Sequence, residues 1–105
     1  MAATNDSRRY PRYGSLKGTL LAWQASSSRD VSHVLDLSLG GIYARVAEPP
    51  PVGTPIQLLL VAPMLEVRAR AVVQRSEPKR GMGIKLIAMH QDDRARFASW
   101  LNRLP

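Results

Sequence analysis

Val31-Ser32-His33-Val34-Leu35-Asp36-Leu37-Ser38-Leu39-Gly40-Gly41-Ile42-Tyr43-Ala44-Arg45-Val46 reads as a strand, a turn and a second strand. Side chains alternate across a strand, so Val31, His33, Leu35 and Leu37 are expected on one, largely apolar, face. Ser32, Val34, Asp36 and Ser38 then share the other. Asp36 and Ser38 therefore point the same way at the strand end. A carboxylate accepts hydrogen bonds and a hydroxyl both donates and accepts, so the pair can read a planar polar edge such as that of a nucleobase. Gly40-Gly41 is expected to reverse the chain, because glycine takes positive φ without steric cost and Gly-Gly is a hairpin signal. Residues 42–46 form the return strand.

Outward from this hairpin, the same period of two recurs. Residues 16–24 are expected to form a first strand with Leu16, Leu20 and Ala22 on one side and Lys17, Thr19, Leu21 and Trp23 on the other; Gly18 weakens it or marks a bulge. A serine-rich loop, residues 25–30, leads into the hairpin. Residues 47–53, with Pro49-Pro50-Pro51, can neither pair inside a sheet nor continue a helix. Residues 55–62 read as a largely buried strand, joined tightly through Pro63-Met64 to residues 65–74. That segment sets Leu65, Val67, Ala69, Ala71 and Val73 inward against Glu66, Arg68, Arg70, Val72 and Gln74. Residues 76–80 are a charged turn containing Pro78, and Met82, Ile84 and Leu86 mark the inner face of a last strand. From residue 91 to 104 the period becomes helical: Phe97, Trp100, Leu101 and Leu104 share a face, and Asp92 and Asp93 complement the dipole in the first turn. Short strands with turn signals, followed by one helix, imply a mainly β fold, a small antiparallel barrel with the helix over one opening or flank.

The bulk properties narrow the function. A chain of 105 residues makes one compact domain. Its 15 Lys and Arg against 8 Asp and Glu give a formal charge of +7, which favours anionic partners without choosing among them. With no cysteine there is no disulfide and no thiolate chemistry, in keeping with a reducing compartment. Residues 1–6 lack the apolar core of a signal peptide and no apolar run approaches a membrane span, so a cytoplasmic location is expected. His33 and His90 have no carboxylate or second histidine at metal-ligand spacing; no metal site is expected, and His33 is read as a packed side chain. Gly81-x-Gly83 is too short for a phosphate loop and reads as a place where strands approach closely. No nucleophile, base and acid stand at a suggestive spacing, which disfavours an enzyme. Arg68 and Arg70 could belong to a basic nucleic-acid patch, but single-strand readers interleave aromatics with their cations, and the six aromatic residues here are scattered.

A second anchor for function lies near the start, in Arg8-Arg9-Tyr10-Pro11-Arg12, where Arg8 and Arg12 stand four apart. An Arg-x-x-x-Arg near the start, a strand, and then Asp36-x-Ser38-x-x-Gly41 at a strand end resembles the signature of the PilZ domain, the bacterial receptor module for cyclic di-GMP. The late Gly81-Met82-Gly83-Ile84-Lys85-Leu86 strand and the closing helix resemble that family too, so the likeness runs from about Arg8 to Leu104. It implies a six-stranded antiparallel split β-barrel over residues 15–105 and an arm, residues 1–14, carrying the arginines. It implies cyclic di-GMP as ligand and no resident cofactor. Arg8, Arg9 and Arg12 would then grip the ligand from the arm while Asp36, Ser38, Gly40 and Gly41 line the barrel, with Asp36 and Ser38 at a guanine edge. Arginine suits both halves of such a ligand, since its planar fork pairs with phosphate oxygens or with guanine O6 and N7. The arm, with Pro11 and few apolar residues, is expected to be mobile until ligand orders it. With no output domain in the chain, the signal is expected to pass to a separate effector protein. Two alternatives remain open: a PilZ-like protein-interaction adaptor with weak or no nucleotide binding, and a nonspecific nucleic-acid binder driven by charge.

Overall fold

The structure, a computed structural model, describes residues 16, 18–26 and 28–104. Six strands and one helix follow in order: β1 (Leu20–Gln24), β2 (Arg29–Leu37), β3 (Gly41–Ala44), β4 (Pro55–Ala62), β5 (Leu65–Glu77), β6 (Gly81–Ala88) and α1 (Gln91–Arg103). Every pairing is antiparallel, and the order β1-β2-β3-β6-β5-β4 closes through the β1–β4 ladder into a barrel. The expected mainly β barrel with a C-terminal helix is the fold observed. Closure gives every strand a partner on both sides over part of its length.

Alternation works best where the strands are longest. On β5, Leu65, Val67, Ala69, Ala71 and Val73 are buried as expected, and on β4 Ile56, Leu58, Leu60 and Ala62 match them. Met82 and Ile84 bring β6 into the same core. One polar pair lies within it: the Trp23 indole N–H donates to the Ser32 hydroxyl at 3.0 Å, so neither buried group is left without a partner.

The structure departs from the sequence expectation at three places. The first strand is shorter than residues 16–24: Gly18 has φ of 76° and lies in a turn against the Pro63 ring, and the ladder begins only at Leu20. On β2 the face is reversed over its first half. Ser32 and Val34 are buried, whereas Val31 is 59% exposed, Leu35 39%, and His33 lies in solvent rather than packed. The reason is a register shift between Val34 and Asp36. This bulge places one extra residue in β2, after which Leu37 faces inward. The last strand pair also runs further than expected, β5 continuing through Ser76 to Glu77 so that only residues 78–80 turn.

The helix completes the barrel where the sheet cannot. β6 pairs with β5 only from Arg70 onward, leaving the edge of β5 around Glu66 and Arg68 without a strand on that side. Helical side chains take the strand's place. Asp93 accepts the Arg68 backbone N–H at 3.0 Å, and Arg96 donates to the Glu66 carbonyl at 3.1 Å while pairing with Asp93. The Arg68 N–H first, and the Arg96 guanidinium with it, hold the Asp93 carboxyl below its ordinary range. At the helix start His90 Nδ1 accepts from the Asp92 N–H at 3.2 Å. Phe97, Trp100 and Leu101 are buried in the barrel core, with Leu104 packed partly against it.

Candidate functional site

The hairpin that carries Asp36 and Ser38 closes tightly. Ser38 N–H donates to Gly41 O at 2.9 Å and Gly41 N–H to Ser38 O at 3.4 Å, placing Leu39 and Gly40 at the tip. Neither Gly40 nor Gly41 takes a left-handed backbone conformation, so positive φ is not why glycine stands there. At Gly41 the cause is close approach: a Cβ would sit 2.9 Å from the Ile84 carbonyl of β6. Gly40 meets nothing, and its carbonyl accepts from the Leu86 N–H at 3.0 Å.

Beyond the bulge, Leu37 pairs with Ile42 on the inside and Asp36 pairs with Tyr43 on the outside. Asp36 and Ser38, both half-buried, flank the inward Leu37 and share the outer face that alternation assigned them. The register then continues across the sheet: Tyr43 faces Gly83, and Gly83 faces Arg75. A second register shift, between Val73 and Arg75, sets this end of the row. Without it Arg75 would fall in the inward phase of Val73; with it the guanidinium reaches the outer face. One row further, Gly41 stands opposite Lys85, an exposed cation beside the turn.

Tyr43 is the centre of that surface. A Cβ on Gly81 would lie 2.7 Å from its ring, closer than a side chain can come, and one on Gly83 would be in ordinary contact with it at 3.5 Å, so the ring lies over Gly81 and beside Gly83. The reading of Gly81-x-Gly83 as a site of close approach holds. The Tyr43 hydroxyl donates to Glu77, and the Arg75 guanidinium carbon lies 5.9 Å from the ring centroid, a cation–π arrangement. The hydrogen bond to Glu77, then burial and the Glu77 charge, raise the tyrosine pKa, while Arg80 and Arg75 pull it down. Tyr43 is therefore a neutral donor at physiological pH, with two arginines close by.

Tyr43, Arg75 and Lys85 were not found from sequence: Tyr43 and Lys85 sit in ordinary strand patterns, and Arg75 falls between the strand expected to end at residue 74 and the turn expected from residue 76. Arg8, Arg9 and Arg12, and the arm that carries them, lie outside the described residues. Among the described residues no group of three or more His, Asp or Glu could hold a metal ion, and no helix is long and apolar enough to cross a membrane.

The fold is thus a closed antiparallel barrel that carries Asp36, Ser38 and Tyr43 on one outer face beside the β2–β3 hairpin. The PilZ domain family model matches residues 6–103, nearly the whole chain, and the chain belongs to that family of cyclic di-GMP receptor and adaptor domains. The barrel is similar to the solved structure of the inhibitor of motility MotI/DgrA from Bacillus subtilis, with a TM-score of 0.66 and 22% identity over 81% of this chain. The match spans 46% of that protein, so the likeness concerns the shared barrel. No curated protein gives a significant match.

Proposed function

We propose that this domain is a cytoplasmic cyclic di-GMP receptor that acts as an adaptor. Asp36, Ser38, Gly40 and Gly41 form the barrel side of the site, and Arg8, Arg9 and Arg12 close over the ligand from the arm. The changed surface then signals to a separate protein. One observation carries this reading: in a PilZ barrel, Asp36 and Ser38 share the outer face at the end of β2, beside a turn so tight that Gly41 must lack a side chain. Such a site offers acceptors to the N–H groups of a guanine edge and leaves backbone close enough for a base to lie against. Lys85, Arg75 and Arg80 add positive potential along the same face, where a diphosphate ring would settle.

A titration of the isotopically labelled chain with cyclic di-GMP, followed by amide NMR, tests this placement. Shifts are expected at Asp36, Ser38, Gly40 and Gly41 and among residues 8–12, with the outer face of β4 around Gln57 unchanged. Shifts confined to β4 and α1 would contradict it.

A further inference from the structure

We propose that Arg75, laid over the Tyr43 ring, reads the guanine of cyclic di-GMP that lies remote from Asp36. The inference deepens the receptor reading above and rests on it. Asp36, Tyr43, Gly83 and Arg75 form one cross-strand row on the outer face of β2, β3, β6 and β5. Its two ends are three strand spacings apart, ~14 Å along the sheet, farther than one base can bridge. A ligand with two guanines can reach both.

The row is built rather than incidental. A bulge in β2 sets Asp36 opposite Tyr43, and a second bulge in β5 turns Arg75 outward at the other end. Between them the Tyr43 ring lies over Gly81 and beside Gly83, and its hydroxyl donates to Glu77. Arg75 is exposed, and its guanidinium carbon lies 5.9 Å from the Tyr43 ring centroid, within cation–π reach. Its planar fork can donate to guanine O6 and N7 or stack on the base. Adenine offers N7 but presents an amino donor where guanine has O6, so the same fork discriminates against it.

The test is a calorimetric titration of the full chain and its Arg75→Ala and Arg75→Lys variants with cyclic di-GMP and cyclic di-AMP. Arg75→Ala is expected to bind cyclic di-GMP about tenfold more weakly with cyclic di-AMP little changed, so that the preference for guanine narrows. Arg75→Lys should not restore it, because an ammonium keeps the charge and loses the planar fork. Wild-type affinity in Arg75→Ala, an equal loss for both nucleotides, or full rescue by lysine would each overturn the assignment while leaving the receptor reading intact. A wild-type chain that binds no cyclic di-GMP would remove both.

Discussion

Arg12→Ala is expected to weaken cyclic di-GMP binding by about ten- to a hundredfold while barely changing the melting temperature of the unliganded domain, and Arg8→Ala is expected to do the same. A charge-assisted hydrogen bond is worth roughly 1.5 to 3 kcal/mol, and each 1.4 kcal/mol is a factor of ten in affinity. Among the described residues the six strand ladders lie within residues 20–88 and the core is built from residues 16–104, so the barrel is expected to fold without either arginine. Binding and stability should therefore separate cleanly. Calorimetry for affinity and circular dichroism for melting make the comparison. An arginine variant that binds as tightly as wild type, or one that lowers the melting temperature in step with affinity, would contradict the roles assigned to the arm.

Phe97→Ala should produce the opposite pattern, a loss of fold. The Phe97 side chain is fully buried, with its ring centroid 6.3 Å from that of Trp100, and both belong to the barrel core. Deleting a buried phenylalanine costs about 3–5 kcal/mol, a large share of the 5–15 kcal/mol that holds a domain of this size. The helix would also lose its grip on β5, where Asp93 and Arg96 stand in for a missing strand. The expected result is a melting temperature lower by more than 10 °C, or no cooperative transition at all. A variant that melts within a few degrees of wild type would show that the helix is not part of the core.

The barrel was legible in the sequence where strict alternation persisted, as along β4 and most of β5. It was misread where a bulge changed the phase. Val31, His33 and Leu35 look like a buried stripe because three of the four residues at that spacing, Leu37 included, are apolar. Their outward direction follows from one extra residue that no composition signal marks. The same bulge left the reading of Asp36 and Ser38 unharmed, since both lie beyond it and keep step with each other. At Gly40-Gly41 the hairpin was right and its cause was not: packing against Ile84, not positive φ, excludes a side chain at Gly41. The Tyr43 and Arg75 end of the face was invisible because it depends on register across four strands, which neighbouring residues do not encode.

Cyclic di-GMP binding itself is the point on which everything else turns. Calorimetric titration of the folded chain with cyclic di-GMP, alongside GTP, cyclic GMP and cyclic di-AMP, tests it most directly. Saturable binding of cyclic di-GMP is expected, much tighter than that of the other three and surviving moderate salt. Equal affinity for all four, absence of binding, or an affinity that collapses with salt as a nonspecific polyanion contact does would contradict it.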